Sequence, residues 1–232
     1  MKTNDQPHES QRRTFLKQFA TGAAVLGAGV LAAPLPALAA DIALPDASEA
    51  DAWFSKVKGK HRIVFDVPGP HEIFPFAWPR VFLVTNQKTG STDSDCGVVV
   101  ILRHNAIPYA MGNQLWEKYK FGEMFKIDDA ATKAPATQNP FWQPKPGTFK
   151  IPGIGEVQIG INELQASGVM FCVCDMALTV YSAVTSGKMN QDPETVKKEW
   201  LAGLLPGVQP VPSGVWAVGR AQEHGCTYCF VG

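Results

Sequence analysis

The feature that most constrains the fold is an alternation of short apolar runs with helical segments between residues 61 and 231. The runs are shorter than typical helices and rich in Val, Ile and Phe, which is typical of strands buried on both faces. They lie at 61–67, 97–102, 169–173, 207–211 and 226–231. Strands that alternate with helices form a parallel sheet with helices on both faces. The sequence therefore predicts one α/β domain with five parallel strands.

Helices are predicted between these strands from apolar spacing and from the residues at their ends. The predicted ranges are 74–86, 113–121, 159–166, 175–186, 192–203 and 213–223. Asp192 and Ser213 are predicted N-caps, because their side chains can accept a hydrogen bond from the first turn. Gly122, Gly168 and Gly187 are predicted to end three of the other helices.

The first 39 residues have the features of an export signal. Arg12 and Arg13 precede an uncharged run of residues 18–40, and Ala37-Leu38-Ala39 is a small-x-small cleavage pattern. The arginine pair, followed by Phe-Leu-Lys, resembles the twin-arginine signal of bacteria. We therefore predict export to the periplasm by the twin-arginine pathway and cleavage, so that the mature chain begins at about residue 40. That compartment is oxidising and permits disulfides.

The alternative for this run is a single membrane anchor. Pro34 and Pro36 interrupt it, and its Gly and Ala content makes a poor bilayer span. No other segment is long and apolar enough to span a membrane. The prediction is therefore a mature chain without a membrane span.

Composition and missing motifs exclude several functions. The chain has 21 basic and 21 acidic side chains, and removal of residues 1–39 leaves it slightly acidic. A nucleic-acid-binding protein needs a basic face, so we expect no nucleic-acid partner. There is no phosphate-binding glycine loop, no Gly-x-Gly-x-x-Gly after the first strand, no HExxH and no Gly-x-Ser-x-Gly, so nucleotide-driven and serine-hydrolase chemistry have no support.

Two segments fall outside the alternation. Residues 40–60 are predicted to be a lead-in with one amphipathic stretch around Trp53 and Phe54, before a domain over 61–232. Residues 126–155 contain five prolines and no periodicity, and are predicted to be an insertion. Such segments are commonly lids or interface arms, and the alternative is a solvated surface excursion.

Several segments together resemble the DsrE/DsrF-like family, in particular its exported members. They are the strand ending at Asp66, Arg103-His104 after the second strand, residues 168–178 around Cys174, and the tail segments 204–208, 211–215 and 220–223. The resemblance covers roughly residues 60–231. It implies a flavodoxin-like fold, assembly as homo- or hetero-oligomers, and sulfur relay in which a cysteine persulfide carries sulfur between partners. Cys174 is the position that best matches the sulfur-carrying cysteine of the family.

Polar and thiol side chains follow the predicted strands at one edge of the sheet. Ligands of open α/β sheets bind there, near the point where strand order reverses, and the resemblance implies that this point lies between the first and third strands. We predict catalytic roles for Cys174, Cys172, Arg103 and His104. We predict substrate binding by Asp66, His71, Asn105 and Asp175. The predicted partners are sulfur donor and acceptor proteins or small sulfur compounds.

Cys174 has the sequence context of a reactive thiol. It stands where a strand becomes a helix, and helix N-termini and nearby cations stabilise thiolates. Arg103, or protonated His104, would add to this effect and Asp175 would oppose it. The alternative is a small buried thiol under a helix. Cys172 is expected on the same face two residues earlier, as a resolving thiol or as core filling.

The remaining thiols and one methionine suggest a second function. The five cysteines leave at least one unpaired, and Cys226 and Cys229 follow His224 in a short motif. With His104 and Met111 they are candidate soft ligands for copper or zinc, so a metal- or haem-binding protein is the alternative function. Strand residues three apart point to opposite faces, which favours separate core positions and disfavours a disulfide. A third hypothesis is a non-catalytic oligomeric interaction module.

Replacement of both arginines by lysine (Arg12→Lys with Arg13→Lys) is expected to stop export in a bacterial host, because twin-arginine recognition requires the arginine pair and not merely positive charge. Cell fractionation and the intact mass of the protein measure the effect. The control Lys2→Gln removes a charge outside the pair and should leave export unchanged. A double variant that still reaches the periplasm in cleaved form would contradict the prediction.

Overall fold

The computed structural model describes residues 45–232. The first half contains α1 (Ala47–Phe54), β1 (His61–Val67), α2 (Phe74–Lys88), β2 (Cys96–Leu102), α3 (Asn113–Tyr119) and α4 (Phe121–Phe125). The second half contains β3 (Lys150–Ile151), β4 (Gly155–Glu156), α5 (Ile161–Ala166), β5 (Met170–Cys174), α6 (Asp175–Met189), α7 (Pro193–Ala202), β6 (Val208–Val211), α8 (Gly214–Glu223) and β7 (Thr227–Phe230). Short 3-10 helices occupy Asp93–Asp95 and His104–Ala110.

The predicted export signal lies outside the described residues. Residues 1–44 carry the arginine pair, the uncharged run and the cleavage pattern, so nothing in the fold bears on them. Within residues 45–232, no helix has the length and apolar character needed to cross a bilayer.

Five strands form one parallel sheet in the order β6-β5-β2-β1-β7. This confirms the predicted flavodoxin-like α/β architecture of five parallel strands with helices around them, and each predicted strand is present within a few residues of its expected range. The central strand β2 is buried from Gly97 to Leu102, as expected for an apolar run covered on both faces.

The point of strand-order reversal was predicted wrongly. The expected place, between the first and third strands, is that of the flavodoxin strand order. Here β2 lies between β1 and β5, and the chain steps in one direction through β1, β2, β5 and β6. It then returns to the far side of β1 as β7, so the order reverses between β1 and β7.

Helices cover both faces of the sheet, as predicted. One core cluster contains residues of the helices α2, α3, α4, α5, α6 and α7 together with Phe65, Val100 and Phe171 of the sheet. The other joins α1 and α8 with Val64, Val99 and Ile101. Alternate strand residues thus enter opposite clusters, as the period of a strand requires.

The lead-in predicted at 40–60 belongs in part to this domain. Ala50, Trp53 and Phe54 of α1 are buried in the same cluster as α8. Asp46 begins the helix, because its side chain accepts a hydrogen bond from the N–H of Ser48. A polar stretch with one amphipathic turn is therefore a covering helix of the second face, and the domain extends N-terminal to residue 61.

The proline-rich insertion packs against the core through aromatic rings. Phe141 lies 4.2 Å from Phe76 and 5.0 Å from Phe149 between ring centroids, and the ring of Phe149 is stacked on it. Asn139 is buried and its amide donates to the carbonyls of Tyr109 and Met111. The insertion is therefore anchored by aromatic packing and amide hydrogen bonds, which a purely solvated excursion would lack.

Two helix ends differ from the prediction. The helix expected at 113–121 breaks at Lys120, which is left-handed at φ 54°, and resumes as α4 with Gly122 inside it. The helix expected to end at Gly187 continues to Met189 and ends at Asn190, with φ 52°. In both cases a lysine or asparagine adopts the left-handed conformation expected of glycine.

Gly122→Ala is expected to destabilise the domain by about 1–3 kcal/mol, because the added methyl group would meet the backbone of Ala136. Urea denaturation gives the free energy of unfolding. Gly187→Ala is the matched control: that glycine lies within α6 with no atom near its added Cβ, so alanine should raise stability by about 0.5–1 kcal/mol. Equal changes in the two variants would contradict this packing.

Candidate functional site

Four polar or thiol side chains form a row across four adjacent strands. Three of them lie at the carboxyl edge of the sheet, and Tyr228, which pairs with Val64, reaches Asp66 from an earlier position on its strand. The register pairs Leu102 with Val173, so the next residues, Arg103 and Cys174, leave β2 and β5 at the same level. Asp66 lies near the end of β1, and the outermost strand β7 carries Tyr228. The row therefore follows the strand order β5, β2, β1, β7.

Cys174 is the N-cap of α6. Its backbone is still extended, with φ −71° and ψ 107°, and its Sγ accepts a hydrogen bond from the N–H of Ala177 at 3.3 Å. The residue is 7% exposed. The Ala177 N–H and the positive end of the dipole of this 15-residue helix thus lie at the sulfur, an environment that suits negative charge.

Arg103 and Asp66 form a two-point ion pair. The Nε of Arg103 donates to Oδ1 of Asp66 at 2.6 Å, and Nη2 donates to Oδ2 at 2.9 Å. The hydroxyl of Tyr228 donates to the same Oδ2 at 2.9 Å. Asp66 is only 3% exposed, and both of its oxygens are engaged within the protein. This arrangement favours a structural partner of Arg103 over a direct contact with substrate, and the predicted substrate binding by Asp66 stays a prediction.

The charge of Arg103 is reinforced by its surroundings. The Asp66 hydrogen bonds raise the pKa of the guanidinium, partial burial opposes them, and the charges of Tyr228 and Cys174 add smaller increases. In the register of β2 and β5, Arg103 and Cys174 are neighbours across the edge of the sheet. Gly214, at the start of α8, leaves space for the Arg103 stem, since a Cβ there would lie 2.5 Å from the Arg103 Cβ.

A second polar group follows β2 directly. The hydroxyl of Tyr181, on α6, donates a short hydrogen bond to Oδ1 of Asn105 and lies 3.5 Å from Nδ1 of His104. His104 is left-handed at φ 50° and its side chain is exposed. Partial burial of the ring and the neighbouring Arg103 lower the pKa of His104, so the imidazole is neutral at neutral pH.

Asp175 and His71 contact residues outside the row. Asp175 is buried and accepts a hydrogen bond from Nζ of Lys197 at 2.8 Å. Burial raises the pKa of Asp175, and Lys197 opposes that shift. His71 packs against Phe74 and Trp78, and its buried Nδ1 has no hydrogen-bond partner. The predicted substrate-binding roles of both residues stay predictions.

The expectation that Cys172 and Cys174 share a face was wrong. Cys172 packs in the cluster of α1 and α8, whereas Cys174 joins the cluster of the opposite face. The reason is the change of backbone direction at Cys174, where the strand passes into a helix. Cys172 is fully buried, and burial raises its pKa well above the usual range, which favours the core-filling alternative.

All five cysteines are free thiols. Burial raises the pKa of Cys96, Cys226 and Cys229, as it does for Cys172. Raised pKa values suppress the thiolate, so these four thiols are poor nucleophiles at neutral pH. Cys174 caps a helix and accepts a backbone N–H there, so the geometry favours it among the cysteines.

The candidate metal ligands are not brought together. Cys226 and Cys229 pack with opposite clusters, as expected for strand residues three apart, and Met111 is buried in the core of the first face. Across residues 45–232, no group of three or more His, Cys, Asp or Glu side chains is arranged to hold a metal ion. A cavity of about 320 Å³ in the insertion is lined by none of the predicted site residues.

Sequence reasoning missed Tyr228, Tyr181 and Gly214. Tyr228 and Phe230 alternate along the last strand, a spacing that indicates a shared strand face but gives no sign of a carboxylate partner for Tyr228. Tyr181 stands seven residues after Cys174, two helical turns along α6, so a helical projection could have placed it near the same rim.

The chain matches no protein-family model and no curated protein. Among solved structures it is similar to a protein of unknown function, MTH1491 from Methanobacterium thermoautotrophicum, with 18% sequence identity and a TM-score of 0.34. That match covers 74% of this chain and 99% of the other.

The imidazole of His104 is expected to titrate below the ordinary value of about 6.5. Arg103→Gln should move the titration upward, because it removes the neighbouring positive charge, but not fully, because the partial burial of the ring remains. NMR chemical shifts of the ring protons against pH measure both values. A titration that Arg103→Gln leaves unmoved would contradict the assigned electrostatic contact.

Proposed function

We propose that the chain is a sulfur carrier of the DsrE/DsrF-like type that holds sulfane sulfur as a persulfide on Cys174. The observation that carries this proposal is the position of Cys174 at the N-terminus of α6, level with Arg103, which directly follows the neighbouring strand β2. The DsrE/DsrF-like resemblance of residues 168–178 and of the C-terminal tail supports the same chemistry.

The proposed loading step is an exchange of sulfur without net oxidation. The Cys174 thiolate attacks the terminal sulfur of a donor persulfide, and a new S–S bond forms while the S–S bond of the donor breaks. The electron pair of the broken bond stays on the donor sulfur, which leaves as a thiolate, and the proton on the transferred sulfur moves with it. Attack by an acceptor thiolate on the outer sulfur reverses these events and releases the Cys174 thiolate.

The surroundings of Cys174 supply what this step needs. The helix N-terminus and Arg103 favour the thiolate as nucleophile and later as leaving group. His104, neutral at neutral pH, can accept or donate a proton at the exposed rim. Cys172 has no free approach to solvent, so we propose a single carrying thiol without a resolving partner.

The small exposed area of Cys174 supports a small donor. A 7% exposed cysteine admits a slender sulfur chain more readily than the folded surface of a protein persulfide. We therefore favour small polysulfides as donors, with a protein acceptor or donor as the alternative.

Export and oligomeric assembly are part of the same proposal. The paired arginines support folded-state export to the periplasm. On α6, Val180 and Val184 are exposed one helical turn apart, and the helix carries no charge from Met176 to Gly187. An exposed apolar helix face supports assembly with further copies of the chain.

Incubation of the purified protein with inorganic polysulfide, followed by peptide mass spectrometry, tests the carrier function. Cys174 is expected to gain one sulfur atom, about 32 Da, and Cys174→Ser should abolish that gain. Cys229→Ser is the matched control, because it removes a partly exposed thiol that lies at no helix N-terminus, and loading should persist.

Equal sulfur loading of wild type and Cys174→Ser would overturn the proposal. Metal or haem bound to the protein isolated from cells, without persulfide on Cys174, would favour the alternative of a metal- or haem-binding protein. Neither persulfide nor a bound group would favour a non-catalytic interaction module.

A further inference from the structure

We infer that Asp66 and Tyr228 are positioning residues that hold the Arg103 guanidinium beside Cys174. This inference rests on the proposed function only in treating Cys174 as the reacting thiol. It assigns Asp66 a role other than substrate binding, and it gives a role to Tyr228, which belongs to the edge strand β7.

The orientation of the Arg103 side chain is fixed. A free arginine side chain samples many rotamers, but this one is held at two nitrogens by a single carboxylate. Two parallel N–H···O bonds specify the plane of the guanidinium as well as its place. The stem is also confined, because it passes directly over Gly214.

The Asp66 carboxylate is itself held in place by hydrogen bonds. A nearly fully buried carboxylate needs several donors, and Asp66 receives two from Arg103 and a third from the Tyr228 hydroxyl. The third bond fixes Oδ2, the oxygen that also accepts Nη2 of Arg103. Tyr228 therefore acts on Arg103 through Asp66.

These groups lie on rigid elements of the fold. Asp66, Arg103 and Tyr228 belong to or directly follow three adjacent hydrogen-bonded strands, and Cys174 ends the fourth. Groups on adjacent parallel strands keep fixed separations, since the strands are about 4.8 Å apart. Loss of the Tyr228 hydroxyl would thus act on the thiol through Asp66 and Arg103, while the strands keep their places.

Alkylation of Cys174 by iodoacetamide, followed by peptide mass spectrometry over a range of pH, tests this inference on the purified full chain. Tyr228→Phe removes one hydrogen bond and no charge, so it isolates the positioning effect. We expect the rate at neutral pH to fall about two- to fivefold. We also expect the midpoint of the rate-against-pH curve to rise.

In Asp66→Asn, the direction of the change in the Cys174 alkylation rate distinguishes positioning from a direct charge effect. If Asp66 acted on Cys174 only by its charge, its removal would favour the thiolate and speed alkylation. If it positions Arg103, its removal releases the guanidinium and alkylation slows, by about tenfold. A faster reaction in Asp66→Asn, or an unchanged rate in Tyr228→Phe, would overturn the inference.

Two controls separate positioning from general destabilisation. Tyr119→Phe removes an equivalent hydrogen bond between a tyrosine and a carboxylate, that to Glu199 at 2.7 Å on α7, and should leave the Cys174 rate unchanged. In every sample, the alkylation of Cys96 at the opposite end of β2 reports whether the fold is intact. If Cys96 accelerates as well, the variant is partly unfolded, which by itself speeds the alkylation of buried thiols. Slower alkylation of Cys174 in the same sample then supports positioning, and faster alkylation overturns it.

The alkylation test of the positioning role and the sulfur-loading test of the carrier function can fail independently of each other. Absence of sulfur loading together with slower alkylation in Tyr228→Phe would refute the carrier and leave the positioning role standing. Sulfur loading at Cys174 with unchanged alkylation in both variants would refute the positioning role and leave the carrier standing.

Discussion

Burial of the sheet on both faces is the constraint on which the rest of the structure depends. The side chains of β2 enter two apolar clusters, one on each face, and none of its residues from Gly97 to Leu102 reaches solvent. A polar group on either face would lose its hydration without finding a partner. Polar side chains are therefore found at the edges of the sheet. At the carboxyl edge the strands end and the helices that follow them begin. The row formed by Cys174, Arg103, Asp66 and Tyr228 is a product of that constraint.

The sequence predicted the elements well because their signals are local. The apolar run of β2 and the N-caps Asp192 and Ser213 each act within a few residues of their own position, and both caps accept the expected hydrogen bonds. The gathering of Arg103 and Cys174 at one edge also followed, since carboxyl ends of parallel strands share an edge. These local signals do not say which strands are neighbours in the sheet. The reversal between β1 and β7 could therefore not be predicted, and neither could the hydrogen bond between Asp66 and Tyr228.

Other failures trace to tertiary packing that overrides local rules. Gly122 was read as a helix stop, yet it is needed because the backbone of Ala136 crosses α4 at that point. Cys172 and Cys174 have the spacing of one strand face, but the helix that starts at Asp175 turns the second thiol away. The insertion has no periodicity because Phe141 and Phe149 anchor it by ring stacking, which requires no regular spacing.

The contact between Arg103 and Gly214 has a consequence for the evolution of this chain. The two positions are 111 residues apart in sequence, yet only a residue without a Cβ lets the arginine stem pass the start of α8. Acquisition of a larger residue at 214 would displace the arginine, whereas loss of the arginine would free position 214 to vary. Related sequences that keep the arginine should therefore keep the glycine, whereas those without the arginine can carry a larger residue at position 214.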